Sequence, residues 1–435
     1  MLEALQRALS IPELKRRILY VLMMLAIFAV GAHIPIPGIN HRELARVMGG
    51  NAGNLLGLVD VFSGGALRRM SIFAMGIGPY INSSIIMQML TFGIPQLEAL
   101  SKEGEAGRKA IARYTRNLTI VLAIVQSFGV TFMFSRNGGH INVLQQIQIC
   151  VVLTAGSMFL LWLGEQVTEH GVGNGVSLII FAGILLSLPF QSQLIIKQLQ
   201  AGTSTWVQFV ILLASFVGTV YAIIYITQGT RRIPIQHTKR VIGMRQTQAG
   251  SSFLPIKVNT AGVIPIIFAI SLMLLPATIM NVLPGTPGGR FPSIGWLKQV
   301  LLEFNPGANV WATAFYALLV IVFTYFYTAI VMNVQDMADN LKKYGNYIPG
   351  IRPGKPTYEY LERVISRITL AGAFFLAIIA VMQYIIPSIT HFQSFTLIGG
   401  TSLLIVVGVA IETMQAIEAQ LLMRNYEGFI KGGGK

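Results

Sequence analysis

The sequence predicts an all-α polytopic membrane protein, with about ten transmembrane helices in two inverted halves of five. Three observations predict it. Hydrophobic residues make up 53% of the 435-residue chain and charged residues only 11%, a balance outside that of soluble globular domains. Apolar runs near the ~20 residues needed to cross a bilayer recur along the whole length. Basic residues alternate between crowded and sparse segments, as fixed orientation in a membrane requires.

The runs fall near 18–32, 72–92, 118–134, 147–163, 176–190, 206–226, 263–283, 311–331, 368–386 and 395–411. The fifth is unusually short. The first follows a charged amphipathic segment without a small-residue cleavage pattern, so no removable signal peptide is expected. Trp162, Trp206, Trp296 and Trp311 lie at or near run ends, as an aromatic belt places them. Cys150, the one cysteine, sits inside an apolar run and reads as a packed thiol.

With the N-terminus inside, the inner segments hold 24 of the 32 Lys and Arg residues, and both termini are cytoplasmic. An even number of runs then divides at about residue 190. Residues 1–190 form one half and 191–435 the other, and inverted halves place a functional site at the midplane between them. Two inner segments are long. The 228–258 segment carries six basic residues and no acid; 333–367 carries six basic residues and four acids around a Pro-Gly turn sequence at 349–354. Charge near span ends satisfies the positive-inside rule, but length and the remote Arg245 point to docking of a large acidic partner, and RNA suits the acid-free segment. A tail, 412–435, completes the inner side.

The stretch 59–92 stands apart. Its first part, VDVFSGGALRRMS, is short, Gly-rich and charged. The apolar run that follows carries Gly76, Gly78, Pro79, Asn82, Ser83, Ser84 and Gln88. Small and polar groups in a spanning segment face protein or water rather than lipid. The run therefore lines a path, and the segment before it folds back from the outer side to block that path. Arg68 and Arg69 cannot sit in hydrocarbon, so the blocking segment requires a hydrated outer funnel.

Enzymatic readings fail one by one. The chain has no Gly-x-x-x-x-Gly-Lys-Ser/Thr loop for nucleotide-driven work. Glu165, Glu169 and His170 lack a paired metal-ligand segment and read as a solvated loop. An intramembrane serine protease needs a His at depth, whereas all six histidines lie in loops or at run ends. No enzyme, metal or cofactor is expected. A secondary transporter of a small solute shares inverted halves and Gly/Pro-broken spans and is the alternative. It would carry ionisable residues at the midplane, but the polar groups at depth here are the neutral Asn82, Ser83, Gln88, Gln126 and Asn259. A pore with bland walls fits better. Ile81 and Ile85 share a helical face, as do Ile180 and Ile184. Ile267 and Ile405 lie at comparable depth. A ring of these six isoleucines closing a water-filled path would gate by dewetting.

Three segments resemble the SecY family, the central subunits of bacterial protein translocons. AMGIGPYINSSIIMQML at 74–90 is similar to its second-span signature, and LWLGEQVTEHGVGNGVSLII at 161–180 to the signature entering its fifth span. IPGIRPG at 348–354 resembles its loop before the ninth span. With the span pattern, the resemblance covers essentially the whole chain. It implies two halves that open like a clamshell around an hourglass pore, with the six isoleucines at the pore ring. It places a short re-entrant plug helix at Phe62, Ser63, Gly64, Gly65, Ala66, Leu67, Arg68, Arg69 and Met70. It puts Gln88, Gln126 and Asn259 at a lateral gate. Docking of the SecA motor ATPase or the ribosome, through its rRNA, falls to Arg232, Lys239, Arg240, Arg245 and Arg352. At the loop tip this chain has Met244-Arg245 where the family leads one to expect an arginine pair. The resemblance further implies the small subunits SecE and SecG, signal sequences and nascent polypeptides as cargo, lateral release into the lipid bilayer, and a place in the plasma membrane.

Overall fold

The computed structural model describes residues 6, 9–37, 60, 63–136, 142–202, 205–237, 241–242, 245–246, 251–282, 309–390, 392 and 399–432. Phe62, Lys239 and Arg240 lie outside the described residues, as does Trp296.

Every expected apolar run with described residues falls on a helix. The first half holds α1 (Pro12–Gly31), α2 (Gly78–Gly93), the short α3 (Pro95–Lys102), α4 (Glu105–Arg136), α5 (Val143–His170) and α6 (Gly175–Gln200). The second holds α7 (Trp206–Gln228), α8 (Ile264–Val282), α9 (Val310–Val331), the short α10 (Val334–Lys343), α11 (Lys355–Thr390) and α12 (Thr401–Gly432). Seven helical stretches among the described residues are long and apolar enough to cross a membrane by length and composition. The other three expected runs fall on α1, α2 and α8, of 20, 16 and 19 residues.

Local chemistry sets several starts. Asn142 with Gln145, and Thr205 with Gln208, form reciprocal capping boxes for α5 and α7. The Asn174 side chain accepts from the Val176 and Ser177 N–H groups to begin α6. The fifth run is longer than the sequence predicts. α6 passes through Pro189 and continues to Gln200, because the polar residues after 190 are helix formers and the proline is absorbed within the helix.

The second run starts later than expected. Residues 63–77 form turns, not a helix, and α2 begins only at Gly78. Gly64, Gly65 and Gly76 hold positive φ, as does Met70 at 42°, and such left-handed residues interrupt an α-helix. Pro79 then sits in the first turn of α2, where its missing N–H costs nothing. Among the described residues of the expected plug segment, 63–70 are turns.

The helices close into a ring of neighbours. In the first half α2 packs on α4, α4 on α5, α5 on α6, and α1 on both α5 and α6. In the second, α8 packs on α9, α9 on α11, α11 on α7, and α7 on α12. The halves meet along two seams: α4 and α2 against α8, and α6 against α12. Phe92 of α2 reaches Phe326 of α9 edge-on, ring centroids 5.6 Å apart, beside the first seam.

The two long segments expected as docking loops are built together. β1 (Thr230–His237) pairs antiparallel with β4 (Ser251–Lys257), from Thr230 opposite Lys257 to Gln236 opposite Ser251. β2 (Val241–Ile242) pairs with β3 (Arg245–Gln246) nearer the tip. β5 (Asn346–Tyr347), from the other segment, pairs with β1 through Gln236–Tyr347 and His237–Asn346, giving the order β4-β1-β5. Strand alternation buries Ile233 and Ile235, the former against Ile256, Ile348, Leu361 and Ile365. It leaves Arg232, Pro234 and Gln236 exposed.

Candidate functional site: a sealed centre between two seams

The six isoleucines converge. Ile180, Ile184 and Ile405 belong to one buried apolar cluster, with Ile81 and Ile267 packed against it. Ile85 belongs to a second cluster that Ile81 also contacts, so Ile81 bridges the two. The contributing helices are α2 and α6 from the first half, α8 and α12 from the second. This gathering of isoleucines therefore forms only where the halves meet.

Ala66, fully buried, lies in the same cluster as Ile180, Ile184 and Ile405. The segment is thus packed into the same apolar cluster as the isoleucines rather than lying over the outside of the bundle. Its turns are tightly satisfied. The Asp60 carbonyl accepts from the Gly65 N–H at 2.8 Å and from the Ser63 hydroxyl at 3.1 Å. The Ala66 carbonyl accepts from the Ser71 N–H at 2.9 Å. Leu67 and Met70 pack with Ile36, Met75, Ile149 and Leu153 in a neighbouring cluster. Residues after α1 fasten the exit. The Ile36 N–H donates to the Met70 carbonyl at 2.8 Å, and the Ile72 N–H to the Ile34 carbonyl at 3.1 Å.

Two glycines permit close approach. A Cβ at Gly64, whose φ is +75°, would stand 3.3 Å from the Gly183 Cα on α6. At Gly156 of α5 a Cβ would collide with the Ile72 carbonyl oxygen, so only glycine lets α5 meet the segment entering α2.

The charges on this segment are partly compensated within it. Asp60, 3% exposed, accepts the Arg68 N–H at Oδ1 (2.8 Å) and pairs with the Arg68 guanidinium at Oδ2 (3.2 Å). Arg68 also lies over the Phe190 ring of α6, 4.1 Å from its centroid. Sequence reasoning missed Asp60, although it stands eight residues before Arg68 in the same charged stretch. Arg69 remains partly buried, and its Nη1 has no hydrogen-bond partner among the described residues.

The expected gate residues lie on or next to helices of the first seam. Gln88 of α2 donates to the Ser84 hydroxyl at 3.2 Å. Gln126 of α4 is half-buried and Asn259, just before α8, is buried. Asn259 lines a cavity shared with Leu404, Gly408 and Glu412 of α12, and its Oδ1 has no hydrogen-bond partner among the described residues. Glu412, which the sequence reading left in the tail, is exposed at the lining of that cavity.

On the sheet-bearing side, Arg231, Arg232 and Arg352 are exposed. The Arg352 carbonyl accepts the Thr357 hydroxyl at 2.8 Å, anchoring the Pro-Gly turns to the start of α11. Nearby, the Glu362 carboxylate pushes the Tyr358 phenol above its ordinary pKa. Arg245 is in β3, opposite Ile242. Glu165 is held by Arg116 through two 2.8 Å contacts, an ion pair between α4 and α5. No group of three or more metal-ligating side chains occurs among the described residues. Cys150 sits 2.8 Å from the Ser127 hydroxyl, consistent with a packed thiol.

Comparison with known proteins follows this geometry. The family profile SecY matches residues 71–414. The protein translocase subunit SecY of Streptomyces galbus is 42% identical over 448 residues, covering 99% of this chain and 100% of the relative. That of Thermotoga maritima is 41% identical over 445 residues, covering 100% and 99%. Among solved structures, a protein conducting channel aligns with a TM-score of 0.61 at 17% identity, over 93% of this chain and 92% of that one. A SecY structure concerned with its plug domain gives 0.64 at 17%, with the same coverage. Sec61 of the canine ribosome-channel complex gives 0.58 at 15%, over 93% and 92%. These likenesses carry the fold, and the sequence relatives carry the family. The chain belongs to the SecY family of protein translocase subunits.

Proposed function

We propose that the chain is a passive, gated protein-conducting channel that translocates unfolded secretory polypeptides and releases transmembrane segments sideways into the bilayer. The observation that carries this is the shared cluster of Ile180, Ile184, Ile405 and Ala66, with Ile81 and Ile267 against it. Side chains from four helices and two halves meet at one apolar point, and a local segment stoppers it. A ring of this kind excludes water when closed and offers a passing chain no hydrogen-bond partner. The family relationship favours this reading over a solute transporter.

In this reading residues 1–190 and 191–435 hinge at the α6–α12 seam and part at the seam of α2 and α4 with α8. Gln88, Gln126 and Asn259 line that gate, and a signal sequence wedges there. Both termini and the β-sheet face the cytoplasm, and the membrane is the plasma membrane. The chain catalyses nothing and holds no cofactor, so the push comes from SecA or a translating ribosome. These dock on Arg232, Lys239, Arg240, Arg245 and Arg352, while SecE and SecG brace the bundle from outside. The curated relatives are translocase subunits, and one structural neighbour is a ribosome-bound channel.

The test is electrical. Deleting residues 62–70 should raise resting single-channel conductance in planar bilayers. Unchanged conductance would remove the plug from the scheme. Uptake of a small solute by liposomes holding the chain alone would instead restore the transporter reading.

A further inference from the structure

The hairpin and α12 are joined by a side-chain contact. Lys257 is the last residue of β4, and its Nζ donates to Oε1 of Gln415 on α12 at 3.0 Å. Just beyond Lys257 the Thr260 hydroxyl donates back to the Lys257 carbonyl at 2.8 Å, and the chain turns at Gly262, φ +65°. α8 follows at once. This turn and α12 enclose a cavity of about 70 Å³ lined in part by Lys257, Asn259, Gly408, Glu412 and Gln415. The packing is close: a Cβ at Gly408 would stand 3.0 Å from Val263 Cγ2, and one at Gly262 would stand 3.6 Å from Glu412 Oε1.

Both walls of the pocket lead to ring residues. Ile405 precedes Glu412 by seven positions on α12, two turns along the same face, a rise of roughly 10 Å. Ile267 lies in the first turn of α8. On the other side, β1 and β4 lead from the same pocket to the exposed arginines of the hairpin. Lys257 is the only cation among the lining residues, where its Nζ bonds the Gln415 amide oxygen and its charge acts on the Glu412 carboxylate. The Lys257–Gln415 bond thus ties strand to helix there.

We propose that Lys257, Gln415 and Glu412 form a clasp through which the β1–β4 hairpin holds α12. A partner that displaces the hairpin then moves Ile405 within the ring. A helix is stiff over about three turns, so displacement at Gln415, ten positions from Ile405, is delivered to Ile405 rather than absorbed. Lys257 is a positioning residue, acting through α12 and not on the cargo. The inference rests on the channel reading.

The experiment uses the full channel with its small subunits in proteoliposomes, and ribosomes carrying a signal-bearing nascent chain as the probe. If the wild type shows no ribosome-stimulated ion conductance, the channel reading itself fails. If it does, Lys257→Met should keep ribosome affinity within about twofold and lose at least about fivefold of the stimulated conductance. Stimulated conductance retained in Lys257→Met, or affinity and conductance falling together, would overturn the clasp. A second variant guards against misfolding: Lys257→Cys with Gln415→Cys in a Cys150→Ser background. It should be uncoupled as the free dithiol and regain stimulation when the two thiols are bridged by bis-maleimidoethane. Bridged protein that stays uncoupled overturns the proposal as well.

Discussion

Arg68 of the re-entrant segment pairs with Asp60 at 3.2 Å while lying 4.1 Å over the ring of Phe190. The pair lets a charged segment enter a bundle whose centre is apolar. Asp60→Ala removes the acceptor of both the Arg68 N–H and its guanidinium. Losing a charge-assisted bond costs about 1.5–3 kcal/mol, and the partial exposure of Arg68 puts the effect at the low end. The closed state should therefore lose about tenfold in population. Planar-bilayer recording should show more frequent spontaneous openings, with unitary conductance unchanged.

Phe190 belongs to α6 and not to the re-entrant segment, so it tests whether that segment is held by its surroundings. Phe190→Leu keeps an apolar side chain but removes the ring face. A cation–π contact at a partly exposed site is worth about 0.5–1 kcal/mol. A two- to fivefold rise in opening frequency is expected, smaller than for Asp60→Ala, with normal protein abundance in the membrane.

Ile184 is 2% exposed within the isoleucine cluster. Ile184→Asn buries an amide there at a cost of about 1–3 kcal/mol unless water follows it in. Water following it in is the expected outcome, because a wetted constriction satisfies the amide. Ion leak should rise even with residues 62–70 intact. Ile184→Val should leave the leak at the wild-type level.

Gly156 meets the Ile72 carbonyl where α5 crosses the approach to α2. Gly156→Val must push that segment away, displacing Phe73 and the start of α2. Overpacking of this kind costs about 1–3 kcal/mol. The variant should lose several degrees in a detergent thermal-unfolding assay and leak ions at rest.

On the sheet-bearing face, Arg352→Glu should abolish export of a SecA-dependent substrate while leaving the thermal midpoint unchanged, since the Thr357 hydroxyl bonds the Arg352 backbone and not its side chain. Ribosome binding should fall steeply with salt if the hairpin meets RNA phosphates. A flat salt response would assign the basic residues to membrane orientation alone.

The sequence by itself determined the spans, because a bilayer imposes a length and a polarity that can be counted residue by residue. It also singled out Ile81, Ile180, Ile184, Ile267 and Ile405, whose apolar side chains stand among small and polar neighbours, and the structure gathers them in or against one cluster. What failed was local geometry within the stretch 59–92. Residues 63–77 form turns because glycines and Met70 adopt positive φ, and hydrophobicity carries no record of backbone sign. The hairpin was hidden because it sits in a polar segment between spans and the neighbour of β1 on its other side, β5, comes from about 110 positions later in the chain. Only the tertiary structure placed Arg68 against Phe190, or Lys257 against Gln415. Those partners are chosen by which helices the closed bundle makes neighbours, and contacts across 122 or 158 residues leave no periodic trace in the sequence.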